Sequence, residues 1–431
     1  MQTPDYLANW ITPGQRQTTG PFRRALDRMG HPERAVPTIL VGGTNGKGST
    51  VAFLETIFRA AGYRTGTFTS PALSHFNEQI RLQGRPITAR DSEAWAKKIK
   101  QAAREPLTLF ESAAAMAFLS FAHERPDIAI VEVGMGGRHD ATNVCEPILS
   151  ILTSVSMDHV QELGGSVASI TLEKAAIGRP GRPLITGADG AARRLLCPEI
   201  TNRASPLDVL DEDFHLQGAD DNLVFTNREI RIEGLRIGLL GVHQRHNAAL
   251  AVQATSRLNH MGFAISPEAV REGLRAAAVR GRLEWFVHPE GYRFLVDGGH
   301  NPDAASALAR TLKTHWQSGP RWVAIAIYSD KDIKGFLEAL LPGTDRILCT
   351  RSSAPRCVPP EALARLAHEV AQEVIPPGAE KPQIRTMPTI ADAVSEFGYN
   401  PAGVNLLCGS LSVVQEAEQA VERTLPKTRL L

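Results

Sequence analysis

The sequence of 431 residues has no excess charge of either sign: 47 Lys and Arg face 46 Asp and Glu, a formal net charge of +1. That balance excludes a surface built to recruit nucleic acid or an anionic membrane, so any contact with phosphate has to be local. Cysteine is sparse, with five residues at positions 145, 197, 349, 357 and 408 and no Cys-x-x-Cys pair. An odd number at scattered spacings supports neither a disulfide framework nor a thiolate zinc site. Long apolar runs are missing too. The most apolar stretch, residues 113–122, falls well short of the roughly 18 residues a spanning helix needs. Residues 1–17 show no basic segment followed by an apolar one, so no signal peptide is expected. There is no internal repeat, no low-complexity tract and no Asn-Lys-x-Asp segment of the GTPase kind. These absences point to a cytoplasmic monomer without nucleic-acid or membrane partners.

What is present is ordinary globular composition, 43% apolar and 22% charged, in a length that suits two or three domains. Apolar runs alternate with helical stretches. Thr38–Val41 leads through a glycine-rich loop into a helical pattern from Ser49 to Ala61, and Tyr63–Ser70 is a second strand. Glu111–Glu124 has the Ala, Leu and Phe density of a buried helix. Ile128–Val133 and Ile148–Val155 are continuous apolar runs, as in strands covered on both faces. This rhythm predicts an α/β fold with a mainly parallel sheet. Short alternating pieces within 187–240 predict a small antiparallel subsheet, followed by a helix over His246–Met261. After Arg282 the rhythm restarts, giving a smaller Rossmann-like α/β domain. The predicted boundary lies in 283–291, where Pro289 and Gly291 punctuate the chain, dividing it into residues 1–284 and 285–431.

The sharpest local signal is Gly42-Gly43-Thr44-Asn45-Gly46-Lys47-Gly48-Ser49-Thr50, between a strand and a helix. Glycines let backbone N–H groups turn toward an anion, the helix N-terminus adds its dipole, and Lys47 supplies a point charge for phosphates. Gly48 separates the lysine from the hydroxyls, so Ser49 or Thr50 must reach the metal ion and the strict Walker pattern is not met. The other glycine cluster, Gly134-Met135-Gly136-Gly137, lacks the spacing of a dinucleotide fingerprint.

Ligands of open α/β sheets gather at the carboxyl ends of the strands. Glu132 ends one apolar run and can hold Mg²⁺ against nucleotide phosphates, or simply pair with a neighbouring cation. Asp158-His159 follows another run, and Ser70 ends the second strand. Asp297-Gly298-Gly299-His300-Asn301-Pro302 opens the second domain in the same way, with Asn301 as the expected cap of the next helix.

These motifs resemble, in order, those of folylpolyglutamate synthase/dihydrofolate synthase, the folate branch of the Mur ligase superfamily. The matching segments are Gly43–Ser49, Thr69–Pro71, Phe76–Arg81, Glu132–Arg138 with Asp140–Asn143, Asp158-His159, Glu173–Ala175, His243–Asn247 and Asp297–Pro302. The resemblance runs from Gly20 to Ser412. It implies a P-loop-containing Mur-ligase-like ATPase domain joined to a glutamate-ligase domain, and an ATP-dependent amide ligase. ATP would phosphorylate the carboxylate of dihydropteroate or of a reduced folate's terminal glutamate, and L-glutamate would displace the phosphate.

By the same resemblance, Thr44, Asn45, Gly46, Lys47, Gly48 and Ser49 would bind ATP, with Asn247 at the adenine end and Arg282 and Asp297 contributing from the linker and second domain. Ser49, Ser70, Glu132 and His159 would hold Mg²⁺, with K⁺ as a second, monovalent ion. Lys47, Lys174 and His300 would serve catalysis. Lys174 matches a lysine that the family carbamylates, which requires a neutral amine and hence a depressed pKa. From sequence alone an exposed helix charge is the favoured reading of Lys174.

Three positions depart from the family pattern: Ala72 where histidine is common, His139 where leucine is usual, and Pro21 in the N-terminal segment. All three lie where the resemblance places the pteroate, away from the ATP loop. Other readings remain open at this stage. They are a monofunctional folylpolyglutamate synthase, a Mur-type ligase for another carboxylate, and a nucleotide-binding regulator with a degenerate site.

Overall fold

A computed structural model describes residues 4–424 apart from 9, 13, 15, 17, 159 and 203. The chain divides into two compact units: the first runs through Gly238 and adds His243–Ala278, and the second combines Leu239–Val242 with Val279 onward.

The first unit is built on a sheet of β1 (Thr38–Gly42), β2 (Thr65–Phe68), β3 (Ile80–Leu82), β4 (Arg85–Pro86), β5 (Ile128–Glu132), β6 (Leu149–Leu152), β7 (Leu184–Thr186) and β8 (Leu207–Val209). Their spatial order is β4-β3-β2-β5-β1-β6-β7-β8. All neighbours from β2 to β8 are parallel, and β3 and β4 add an antiparallel edge. The strands β1, β5 and β6 are buried along their whole length, which is why they read as unbroken apolar runs. On one face, the helix Leu109–Glu124 is buried without a break from Glu111 to Phe121. Its Phe118 and Phe121 share a core with Leu40, Phe68 and Val131. Each such buried aromatic contributes about 1.5–3 kcal/mol. The helix Lys47–Ala60 packs against Gln244–Asn259 and Pro267–Ala276. The last of these comes so close that a Cβ at Gly273 would lie 2.4 Å from the Ile57 Cα.

The subsidiary antiparallel sheet is narrower than the 187–240 expected from sequence. It comprises β9 (Phe214–Ala219), β10 (Asn222–Asn227) and β11 (Arg231–Leu235), in the order β11-β10-β9. Residues 190–202 instead form a helix that buries Ala192, Leu196 and Ile200, and β8 belongs to the main sheet.

The second unit holds β12 (Glu284–Val287), β13 (Arg293–Val296), β14 (Arg321–Ile325), β15 (Arg346–Cys349), β16 (Gln383–Thr386) and β17 (Val404–Cys408). Their order is β12-β13-β17-β14-β15-β16, parallel except for β12. The units divide a few residues before the position read from sequence, and the reason is β12. Pro289 and Gly291 mark a hairpin turn, with Gly291 at φ +93° donating to the His288 carbonyl, rather than a linker. No helix among the described residues is long and apolar enough to cross a membrane.

Candidate active site

The sheet order puts β1 between β5 and β6, so three carboxyl ends open side by side where the strand order reverses. From β1 the chain passes through the glycine loop into the helix Lys47–Ala60. That helix starts at Gly46, with φ +89° and no side-chain cap. Its first N–H groups therefore have no acceptor inside the helix, and they carry the positive end of its dipole.

The loop is held from behind by the segment after β6. Thr44 N donates to the Ser154 carbonyl at 2.7 Å and Asn45 N to the Ser154 hydroxyl at 3.1 Å. The Thr44 hydroxyl pairs with both the carbonyl and the N–H of Ser156. The Thr153 hydroxyl donates toward the Gly42 and Asn45 carbonyls, at 3.1 and 2.7 Å. The amides of Thr44 and Asn45 are thus engaged inside the protein, and the outward-facing part of the loop narrows to Gly46–Ser49. Thr50 turns its hydroxyl back to the Gly46 carbonyl at 3.0 Å, leaving Ser49 as the hydroxyl for an ion. Asn247, 6% exposed, donates to Gln244 and sits on the loop. A Cβ at Gly46 would meet its Oδ1 at 2.2 Å.

Two lysines converge on one oxygen. Lys47 Nζ donates to the Gly43 and Thr44 carbonyls at 3.1 and 3.0 Å, and Lys174 Nζ to the same Gly43 carbonyl at 2.9 Å. Lys174 stands in the last turn of the helix Val167–Ala175, which Ser166 caps, and is only 4% exposed. Lys174 is therefore a buried cation and not an exposed helix charge. Burial first, and the neighbouring Lys47 ammonium second, push its amine down to about 7, against opposing pulls from Asp158, Asp140 and Glu173. The Glu173 carboxylate turns to the Arg138 side chain and the His139 N–H.

Glu132 ends β5, is 5% exposed, and accepts the Ser70 N–H at 3.3 Å. Its Oε2 lies 3.7 Å from where a Cβ on Gly48 would stand. Glu132, Ser70 and the loop are therefore one cluster, and its oxygen donors suit a hard divalent ion. His159 lies outside the described residues. Among the described residues no group of three or more His, Cys, Asp and Glu forms a metal cage. The Ser70–Pro71 peptide is cis.

The second glycine cluster serves packing. A Cβ at Gly134 would strike the Phe110 ring at 2.5 Å, and one at Gly137 would lie 2.6 Å from the Glu173 carbonyl. Asp140, whose carboxyl burial pushes upward in pKa, ties this turn by accepting from Met135 N, Thr142 N and the Thr142 hydroxyl. Of the three departures, Pro21 stands in the first turn of the helix Gly20–Arg28, Ala72 is buried, and His139 is exposed.

In the second unit, Asp297, 5% exposed, follows β13 and accepts from Leu283 N at 2.9 Å and Gly299 N at 2.7 Å. His300 Nδ1 is 3.0 Å from the Gly298 carbonyl, and a Cβ at Gly298 would stand 3.2 Å from Arg282 Nη1. Asp297 and His300 thus share one turn, and the Arg282 guanidinium lies beside it. Asn301 caps the helix Pro302–His315 through Ala304 N, as expected. Sequence reasoning missed Thr153, Ser154 and Ser156. The signal available for them was their place at the end of the run Ile148–Val155, just past β6.

The profile of the Mur ligase middle domain matches residues 41–255, and that of the Mur ligase glutamate ligase domain matches residues 281–411. The chain is 37% identical over 343 residues to dihydrofolate synthase/folylpolyglutamate synthase of Bacillus subtilis, covering 76% of this chain and 79% of the relative. The chain belongs to the Mur-ligase-like folate synthase family. Its fold is similar to that of E. coli FolC in complex with DHPP and ADP, with a TM-score of 0.86 at 28% identity over 97% of this chain and 96% of the other. The Yersinia pestis bifunctional folylpolyglutamate synthase/dihydrofolate synthase complexed with AMPPNP and Mn ion gives 0.83 at 26% identity, over 98% and 100%. As a folate synthase family member, this chain is an ATP-dependent glutamate ligase.

Proposed function

We propose that the chain joins L-glutamate to dihydropteroate and to the terminal glutamate of reduced folates through an acyl phosphate. The observation that carries this reading is the convergence of Lys47, Lys174, Glu132 and Ser70 on an uncapped helix N-terminus. An amide does not form favourably from a carboxylate and an amine in water, so the carboxylate must first gain a leaving group. A carboxylate oxygen of the acceptor attacks the γ-phosphorus of ATP, and ADP departs. The glutamate amine then attacks the acyl carbon, loses a proton, and phosphate leaves. Little covalent work falls to the protein, and most of the rate comes from positioning and charge neutralisation.

The N–H groups of Gly46–Ser49 and the Lys47 ammonium take the phosphates, with Thr44 and Asn45 shaping the loop and Asn247 contacting the nucleotide. Lys47 exchanges its loop carbonyls for phosphate oxygens. Ser49, Ser70, Glu132 and His159 hold Mg²⁺, with K⁺ as a second ion, and the bound cation supplies charge neutralisation at the transferring phosphoryl group. Lys174 takes up CO₂ as the neutral amine, releasing a proton and leaving a carbamate; burial and an amine pushed down to about 7 support this. In the second unit, Arg282 and Asp297 act on ATP, and His300 positions glutamate. A cytoplasmic monomer with five free thiols belongs to the same proposal.

Phosphate release measured with ATP, glutamate and either dihydropteroate or tetrahydrofolate tests this reading. Release that needs both the acceptor and glutamate is expected, and release indifferent to the acceptor would overturn it.

A further inference from the structure

The loop amides that face an anion need carbonyls that face away, and something must hold those carbonyls. A trans peptide unit is planar, so its C=O and N–H point in opposite directions. Drawing the Asn45 carbonyl into the protein therefore aims the Gly46 N–H outward, at the start of the uncapped helix. Two hydroxyls draw it in, the nearer being that of Thr153 at 2.7 Å, which also lies 3.1 Å from the Gly42 carbonyl, and the farther that of Ser154 at 3.2 Å.

Thr153 has little freedom to do anything else. It is 3% exposed, and its own N–H donates to the Gly42 carbonyl at 2.9 Å, extending the β1–β6 pairing by one residue. A Cβ at Gly43, where φ is +140°, would fall 2.0 Å from the Thr153 hydroxyl, and one at Gly187 would fall 2.4 Å from the Thr153 carbonyl. Two glycines thus make room for this residue, one for its hydroxyl and one for its main chain.

We infer that Thr153 is a positioning residue of the phosphate loop, setting the direction of the Gly46 N–H and through it the affinity for nucleotide. The inference rests on the phosphate-loop reading above and adds to it a residue outside the glycine motif. It also separates two properties of the side chain. Its volume fills the space beside Gly43, and its hydroxyl holds the Asn45 carbonyl.

Thr153→Val keeps the volume and removes the hydroxyl, Thr153→Ser keeps the hydroxyl and removes the methyl, and Thr153→Ala removes both. Calorimetric titration of each full-length variant with AMPPNP, beside melting temperature without nucleotide, reads the two roles apart. The Val and Ala variants are expected to bind about tenfold or more weakly, and the Ser variant within about threefold of wild type. In steady state the Val variant should raise KM for ATP and leave KM for glutamate in place. Val or Ala binding as tightly as wild type would overturn the inference. So would a Ser variant as weak as Val, since volume would then be the property that matters. The Ala variant keeps the comparison open if Val fails to fold. Failure of the wild type itself to bind AMPPNP would instead remove the phosphate-loop reading, and this inference with it.

Discussion

Two turns in this molecule are built from the same parts and finished differently. In the first unit, β1 runs through Gly42–Gly46 into the helix Lys47–Ala60; in the second, β13 runs through Asp297–Asn301 into the helix Pro302–His315. The second turn is closed on itself. The Asp297 carboxylate takes two backbone N–H groups, and the Asn301 side chain takes a third from the helix start. The first turn has no acid and no side-chain cap, and its support comes from behind, from Thr153, Ser154 and two lysines. A helix start that is capped has satisfied its donors, whereas one that begins at a left-handed glycine keeps them for an anion. On the same strand–turn–helix plan, one turn leaves its helix start open to an anion and the other closes it with its own side chains.

The largest expected effect is on the open turn. Lys47→Ala should lower turnover by about a thousandfold or more while circular dichroism stays that of the wild type. Near-normal turnover would remove the lysine from phosphate chemistry and blur the contrast. On the closed turn, Asp297→Ala leaves two buried N–H groups without their acceptor and should cost about 2–4 kcal/mol of stability. Thermal denaturation checks it, and an unchanged melting curve would mean that the carboxylate does not hold the turn.

Next comes pH. The Lys174 amine reacts with CO₂ only when neutral, and it is pushed down to about 7. Below that value the protonated form dominates, so in bicarbonate buffer both turnover and a ¹³C-carbamate signal should climb as pH rises from 6 to 8. Each unit below the pKa should cost about tenfold in reactive amine. A carbamate signal that is flat across this range would contradict the assignment. The smallest effect is that of the cap itself. Asn301→Ala should cost about 1 kcal/mol, read by urea denaturation, and no loss would show that Asp297 alone closes the second turn.

The alternation of apolar runs and helical stretches made the two α/β units legible, because strands buried on both faces leave no polar residues to break the pattern. Strand β16 has largely exposed residues and β12 alternates exposed and half-buried ones, so neither stood out. In the site, Lys47, Ser49, Ser70 and Glu132 were readable from strand ends and glycines. Lys174 was not, since its burial is set by packing of distant segments and a lone lysine in a helix looks solvated. The Gly134–Gly137 cluster was equally opaque, because Phe110 and the helix of Lys174 are what make it glycine-rich. Thr153 and Ser154 were missed because hydroxyl residues at a strand end carry no pattern of their own.

The central claim, that the open turn serves glutamate ligation to folates, is tested most directly by mass spectrometry of the products formed from ATP, glutamate, and dihydropteroate or tetrahydrofolate. One glutamate added to dihydropteroate and further glutamates added to tetrahydrofolate, each with one ADP and one phosphate, is the predicted result. ATP consumed with no glutamate joined to either acceptor would contradict it.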